Sequence, residues 1–250
     1  MLFENIINND EVSEYVFNTV IKKIGNVSDL NVLTSNGSSF VFVSKEKENV
    51  YQYFNYEKIA INIEKIFKII KEKNIINIKL NSFNIDFDFD IDIKKFICEF
   101  ISYEPKNIII WKKHICLNSY DKKYKKEFIL KNLVKLRWDI MKCLYCLHQN
   151  NIHHGDPTID NIGILNGNFI LFDFDASKEF ENIYKYELSK LDVYKFNNSI
   201  KFNTDNDKNI KYELYDITSY QCIQNIIDYF DDELNCNEIV NKLNDLEVVY

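Results

Sequence analysis

A predicted β-hairpin with polar residues at both of its ends is the feature that most constrains how this chain folds. Residues 162–165 and 169–172 are short apolar runs, and the turn sequence Asn-Gly-Asn at 166–168 separates them. Two antiparallel strands joined by a tight turn bring the residue before the first strand next to the residue after the second. The sequence therefore predicts that the amide of Asn161 and the carboxylate of Asp173 lie side by side.

The segment before this hairpin reads HGDPTIDN over residues 154–161. Phosphoryl transfer needs little covalent chemistry from a protein, but it needs a carboxylate that orients the attacking hydroxyl and hard oxygen ligands for Mg²⁺. Asp156 suits the first role, and Asn161 and Asp173 suit the second. We therefore expect a phosphotransferase; the alternative is a turn between a helix and a hairpin that holds carboxylates without a catalytic role.

At these residues the chain resembles the protein-kinase-like superfamily, whose catalytic loop runs His-x-Asp-x-x-x-x-Asn and whose metal-binding strand ends in Asp-Phe-Gly or a variant. The His-Gly-Asp form and the sequence Asp-Phe-Asp at 173–175 are more similar to the aminoglycoside phosphotransferase and choline kinase branch than to ordinary protein kinases. The resemblance implies that Asp156 is the catalytic acid/base and that His154 braces the loop. It further implies that Asn161 and Asp173 bind Mg²⁺ and that ATP is the phosphate donor.

The resemblance also implies an α+β, two-lobed protein-kinase-like fold, with a small antiparallel-sheet N-lobe and a mainly helical C-lobe. We expect a single kinase-like domain over residues 1–250, with the N-lobe and its N-terminal helix at 1–103 and the helical C-lobe at 104–250. Apolar periodicity predicts helices over residues 1–24, 56–74 and 128–150 and two more after residue 212, and residues 191–196 resemble the family's helix with a buried aspartate. Strands are predicted near residues 30–33, 40–44, 50–54, 85–93 and 96–103.

Two features of the predicted N-lobe bear on nucleotide binding. Glu64 lies where the family has the helix glutamate that pairs with a strand lysine, but the strand over 50–54 carries Gln52 in its interior. Lys45 takes the lysine's role in a shifted alignment, Lys58 flanks the region on the other side, and a site without this cation is the third alternative.

The strand over 96–103 breaks before Pro105, where the family places the hinge whose backbone reads adenine. The resemblance therefore implies that Glu99 and Ile101 contact the nucleotide.

Three functions remain open for this chain. A small-molecule hydroxyl such as that of a sugar or amino alcohol is the favoured acceptor, and Asp216, Asp231, Asp232 and Glu233 are candidate lining residues if they are not solvated surface. Gln52 and the single glycine of the loop at 36–39 leave a pseudokinase that binds protein partners as the second function. A minimal protein kinase is the third function. Thr158 argues against it, because serine/threonine kinases usually have lysine at this position. Small kinases associated with tRNA modification have threonine there, so that subgroup stays open.

Composition supports one domain of ordinary globular character. With 46% hydrophobic residues and two prolines, the 250-residue chain can form one two-lobed core, and no Gly/Ser/Pro-rich linker divides it. The N-terminus lacks a signal-like pattern and no apolar run reaches membrane-spanning length, so we expect an intracellular, cytoplasmic protein with no membrane partner. The net charge of −7 argues against a general nucleic-acid surface.

Two further patterns favour structural interpretations. Cys143, Cys146 and His148 have a metal-like spacing, but all three fall on the predicted helix, so we expect buried, reduced thiols. Residues 85–93 alternate strictly between apolar residues and aspartate, which predicts a strand with a solvated acidic face; a cation or a basic partner on that face is the alternative.

Overall fold

The computed structural model of the chain describes residues 18, 22, 31–35, 39–43, 48–82, 85–104, 107–181 and 185–200. Several predictions therefore fall outside the described residues: almost all of the helix over 1–24, Lys45, most of the loop at 36–39, and both helices after residue 212 with their four acidic residues. The described residues form an α+β structure of helices and small antiparallel sheets, as the sequence predicts.

The elements with complete bounds are as follows in chain order: β1 (Asn31–Ser35), β2 (Ser39–Val43), β3 (Asn49–Phe54), α1 (Glu57–Glu72), β4 (Ile75–Ser82), β5 (Ile85–Asp92), β6 (Phe100–Glu104), β7 (Ile108–Lys112), β8 (Ile115–Cys116), α2 (Lys122–Lys131), α3 (Leu133–Gln149), β9 (Ile152–His153), β10 (Ile162–Leu165), β11 (Asn168–Leu171), β12 (Lys178–Glu179) and α4 (Lys185–Ser199). Short 3-10 turns lie at Ile93–Lys95, Leu117–Ser119 and Ile159–Asn161. The described residues divide into two compact units, one within Met1–Lys68 and Cys98–His114 and the other within Ile69–Ile97 and Ile115–Tyr250.

The first unit contains a five-stranded antiparallel sheet in the order β1-β2-β3-β7-β6. Gln52 lies buried in the central strand β3, where its Nε2 donates to Ser39 Oγ at 3.1 Å and its Oε1 accepts from Trp111 Nε1 at 3.0 Å. The apolar face of α1 contacts this sheet through Phe67, which stacks on the ring of Phe100 at 5.2 Å between centroids. One polar side chain thus links three strands of the sheet.

The predicted strands of this unit are confirmed at β1, β2 and β3, and the predicted helix over 56–74 is confirmed as α1. The predicted strand over 96–103 is wrong at its start, because residues Ile93–Lys95 form a 3-10 turn and Ile97 makes a parallel bridge to Leu171. The strand β6 begins at Phe100, and a further strand, β7, follows it.

Helix α3 leads into the segment that carries the HGD sequence in the second unit. The prediction of a single helix over 128–150 is wrong, because the helical structure is interrupted at Asn132, which lies between α2 and α3. The carbonyl of Phe128 accepts from the backbone N–H of Asn132 at 3.1 Å and from its side-chain Nδ2 at 2.9 Å, so the side chain adds a second hydrogen bond at the end of α2. The apolar pattern continues across this break, which is why periodicity alone does not reveal it.

The predicted hairpin over 162–172 is confirmed as β10 and β11. Asn166 and Gly167 have φ values of 52° and 76°, which is the pair of left-handed residues that a two-residue type I′ turn requires. The predicted strand over 85–93 is confirmed as β5, which pairs with β4 in an antiparallel hairpin that the sequence analysis does not predict. Among the helices that the structure describes, none is long and apolar enough to cross a membrane.

Candidate functional site

The hairpin β10–β11 brings two of the predicted site residues to the same end of the second unit. Ile162 pairs with Leu171, and the backbone N–H of Phe172 donates to the carbonyl of Asn161 at 3.1 Å. Asp173 follows Phe172 directly, so the amide and the carboxylate lie on neighbouring chain segments, as the hairpin predicts.

The side-chain amide of Asn161 is oriented by the loop that precedes it. Its Nδ2 donates to both the backbone carbonyl and the Oδ2 of Asp156, each at 2.9 Å. Both partners are acceptors, so the nitrogen of the amide must face Asp156 and the oxygen must face away. This leaves Asn161 Oδ1 as the group that can accept a hydrogen bond or bind a cation.

Asp173 has an unusual backbone conformation and a buried carboxylate oxygen. Its φ of 63° lies in the left-handed region, which a non-glycine residue rarely occupies. Its Oδ1 is buried, and no hydrogen-bond donor among the described residues reaches it. A buried carboxylate oxygen without a donor is costly, so a cation at this oxygen would relieve that cost.

His154 is fully buried beside these residues. Burial lowers the pKa of its imidazole, so the ring is neutral at pH 7. Its Nδ1 accepts from the backbone N–H of Asp156 at 3.3 Å, and its ring lies against Phe174 with 4.7 Å between centroids. These contacts hold the start of the loop.

A buried carboxylate on α4, Asp192, binds the backbone of this loop. It accepts from the N–H groups of His154 at 2.9 Å and Gly155 at 3.0 Å, and from His148 Nε2 at 3.0 Å. Burial alone would raise the pKa of Asp192, but the hydrogen bond from His148 and the neighbouring imidazoles, His153 among them, hold that pKa below its usual range. Asp192 is therefore an anion that fixes two consecutive amides of the loop.

Gly155 fits this loop for two separate reasons. Its φ of 89° is a left-handed conformation that glycine adopts without strain. A Cβ at this position would also lie 2.5 Å from the backbone oxygen of Ala176, so a side chain has no room. The residue that precedes Asp156 must accordingly be glycine.

Two more side chains of α4 contact the same loop. Lys195 Nζ donates to the carbonyl of Gly155. Ser199 Oγ accepts from the backbone N–H of Ile159 at 2.9 Å. Sequence reasoning missed both residues, and the signal that could have found them is their helical spacing from Asp192, three and seven positions on.

The predicted glutamate and the lysine Lys58 belong to the first unit. Glu64 pairs with Lys68 of the same helix at 3.0 Å, and Lys58 is exposed, with its Nζ 5.9 Å from the ring centroid of Tyr56. Gln52 is buried within the sheet, and both ends of its amide are hydrogen bonded. The pairing of Glu64 with Lys45 stays a prediction, because Lys45 lies outside the described part of the chain.

The two predicted adenine contacts lie on or next to β6. Glu99 is exposed just before the strand, and Ile101 is exposed within it. The strand β6 is at the edge of its sheet, and β7 follows it before the chain passes from the first unit to the second after His114. The role of Glu99 and Ile101 stays a prediction.

The cysteines of α3 are buried free thiols, as the sequence predicts. Burial raises the pKa of Cys146 to about 12, so its thiol is protonated and unreactive at neutral pH. Within the described ranges, no group of three or more His, Cys, Asp or Glu side chains is arranged to hold a metal ion. Asn161 and Asp173 are the candidate cation ligands at the loop in the described part of the chain.

No protein-family model matches the chain, and its comparison with curated proteins likewise gives no match.

Proposed function

We propose that the chain is an ATP- and Mg²⁺-dependent phosphotransferase with a two-lobed kinase-like fold that transfers the γ-phosphate to a hydroxyl, more readily of a small molecule than of a protein. The observation that carries this proposal is the pair of oxygens at one end of the hairpin. Asn161 presents Oδ1 because Asp156 binds its nitrogen, and Asp173 presents a buried Oδ1 that has no donor in the described structure.

The residues at this site fit Mg²⁺ better than a metal that needs several protein ligands. Mg²⁺ is commonly bound through one or two carboxylates together with waters and substrate phosphates. Asn161 and Asp173 would hold the ion, which when bound supplies positive charge to the phosphate oxygens of ATP. The lack of a cluster of three metal-ligating side chains among the described residues agrees with such a shared site.

In this proposal Asp156 orients the acceptor hydroxyl and takes its proton. Its Oδ2 is occupied by the Asn161 amide, which leaves the other carboxylate oxygen for the acceptor. His154, neutral and buried, does not exchange protons with the acceptor; it holds the backbone N–H of Asp156 through Nδ1. The loop thus separates the group that reacts from the groups that position it.

The first experiment measures thermal stability with and without Mg-ATP. Ligand at about 100 times its dissociation constant stabilises the folded state by about 2.7 kcal/mol, which for a chain of this size is about 5–10 °C. We expect a shift that requires Mg²⁺ and is lost in Asp173→Asn. Asp160→Asn is the matched control, because it makes the same charge change on an exposed side chain of the same loop. Equal shifts in wild type and Asp173→Asn would contradict the metal role.

The second experiment measures transfer of labelled phosphate to a panel of hydroxyl compounds and to a generic protein. Asp156→Asn keeps the shape of the side chain but removes the base, so we expect turnover to fall by about 10²- to 10⁴-fold while the Mg-ATP thermal shift is retained. Label on the protein substrate instead of the small molecules would favour the protein-kinase alternative.

A pseudokinase is the second candidate function, and one observation favours it. Gln52 occupies the interior of β3, and its amide is bonded to Ser39 and Trp111, so this position supplies no cation for phosphates. Mg-ATP binding without Asp156-dependent transfer to any acceptor would support this candidate. Transfer that Asp156→Asn abolishes would exclude it.

A further inference from the structure

The peptide group between Gly155 and Asp156 is held from both of its sides. Its carbonyl accepts a hydrogen bond from Lys195 Nζ on α4. Its N–H, which belongs to Asp156, donates to His154 Nδ1 at 3.3 Å. The plane of this peptide determines the direction in which the Asp156 side chain leaves the backbone.

Without these two hydrogen bonds, this peptide would rotate more easily than one that follows a residue with a side chain. Glycine has no Cβ to restrict its ψ, and Gly155 already lies at a φ of 89°. Asp192 Oδ1 fixes the N–H of Gly155 at 3.0 Å, but that bond restrains the preceding peptide and not the one that leads into Asp156. The rotation about ψ of Gly155 is therefore controlled by Lys195 and His154.

The three loop contacts of α4 come from one face of the helix. Asp192, Lys195 and Ser199 are three and four residues apart, which places them in line along a helix. They bind successive parts of the loop, at His154 and Gly155, at the Gly155 carbonyl, and at the N–H of Ile159. Asp156 lies between these points, so the helix restrains the backbone on both sides of it.

We propose that Lys195 is a positioning residue of the phosphotransfer site, which acts through the Gly155 carbonyl to hold the carboxylate of Asp156 in its reactive direction. This inference rests on the function proposed above. The partly buried ammonium makes a charge-assisted hydrogen bond to the carbonyl, and that bond restrains a glycine peptide more strongly than a neutral donor would. Lys195 does not touch the reacting atoms, and its contribution is the geometry of its neighbour.

The test compares Lys195→Met, which keeps the apolar stem but removes the donor, with Lys195→Arg, which keeps a cationic donor. Lys131→Met is the matched control, because Lys131 is exposed on α2. We expect kcat to fall by about 10- to 100-fold in Lys195→Met with KM for ATP little changed, because misplacement of a reacting group affects the chemical step. Lys195→Arg should recover most of kcat, and Lys131→Met should equal wild type.

Amide hydrogen exchange supplies a readout that does not depend on activity. In Lys195→Met the amides of Gly155 and Asp156 should exchange faster than in wild type, whereas those of β11 should stay protected and so report an intact fold. If wild type transfers no phosphate, the proposed function fails, and faster loop exchange would still establish the restraint by Lys195. Unchanged loop exchange together with unchanged kcat would overturn the inference, as would a loss of kcat that Lys195→Arg does not recover.

Discussion

Two buried carboxylates of the second unit, Asp192 on α4 and Asp139 on α3, both bind backbone amides but differ in their other partners. Both are fully buried, and both accept from backbone amides: Asp192 from the loop before Asp156, and Asp139 from the N–H of Phe169 at 3.0 Å. Asp192 therefore fixes the loop, whereas Asp139 fixes the strand β11 that leads to Asp173. The loop that carries Asp156 and the strand that leads to Asp173 are thus each held by a buried carboxylate.

The partners of these two anchors differ in charge. Asp139 lies between two buried lysines, Lys135 at 2.8 Å and Lys142 at 3.6 Å, so this cluster carries one more positive than negative charge when all three are ionised. Asp192 is surrounded instead by backbone amides and imidazoles. The Asp139 cluster is therefore sensitive to the loss of its anion, whereas the Asp192 contacts are sensitive to acid.

The largest expected effect is that of Asp139→Asn on stability. Asparagine can still accept from the N–H of Phe169, but it removes the negative charge that lies between the buried ammonium groups of Lys135 and Lys142. Burial raises the pKa of the Asp139 carboxyl against the opposing effect of the lysines, which offsets part of the cost of neutralising it, so we expect the free energy of unfolding to fall by about 3 kcal/mol, measured by urea denaturation at pH 7. The double variant Asp139→Asn/Lys142→Met should recover part of this loss. A loss below about 1 kcal/mol would mean that the lysines are not buried as cations.

Asp192→Asn should have a smaller effect that depends on pH. At pH 7 the variant loses charged hydrogen bonds to two backbone amides, so we expect a loss of about 1.5–3 kcal/mol. The pKa of Asp192 is lowered in the folded state. Its contribution to the free energy of unfolding is therefore complete above the unfolded pKa of about 3.9 and disappears as pH falls through the folded pKa. Urea denaturation from pH 7 to pH 2 should show the two proteins converging in acid, and a constant difference would contradict the assignment.

Lys142→Met should change stability least at neutral pH and most clearly in alkali. Burial lowers the pKa of Lys142 to about 8, and Asp139 opposes that shift only in part. The folded state therefore releases its proton before the unfolded state does, and wild type should gain at most about 3 kcal/mol of stability relative to Lys142→Met between pH 8 and about 10.5. The rings of Phe96 and Trp138, 4.1 Å and 5.1 Å from Nζ, favour the cation and so limit this gain. Parallel pH profiles for the two proteins would contradict the lowered pKa.

The sequence predicts elements well where the signal is local. The turn at Asn166 and Gly167 requires two left-handed residues and therefore specifies its hairpin. The helix α1 has a regular apolar stripe, and its observed bounds differ from the predicted ones by one residue at the start and two at the end. In both cases the information lies within one element.

Other elements depend on contacts that a pattern does not show. Asn132 ends α2 through a bond from its own side chain, yet apolar residues continue on both sides of it. The apolar run at Ile108–Lys112 becomes the strand beside β3, but the hinge assigned near Pro105 directs the sequence interpretation away from it. Pairing with β3 and β6 fixes the strand β7, whereas the break between α2 and α3 has no distinctive local composition.

The candidate site divides in the same way. Asp156, Asn161 and Asp173 were found by motif spacing, because a loop and a hairpin hold them within a short stretch of chain. Asp139, Lys195 and Ser199 were not found, because their contacts join residues 30–40 positions apart. Motifs identify the groups that would react, whereas the groups that support them belong to the tertiary structure.

The single contact face of α4 also limits how this protein can change over evolutionary time. One inserted residue between Asp192 and Lys195 would turn the rest of the helix by about 100° and move it by about 1.5 Å, which would remove Lys195 and Ser199 from the loop together. Leu191 and Tyr194 are exposed on α4. We therefore expect related sequences to vary in the residues on the outer side of this helix while the number of residues between Asp192 and Ser199 stays constant.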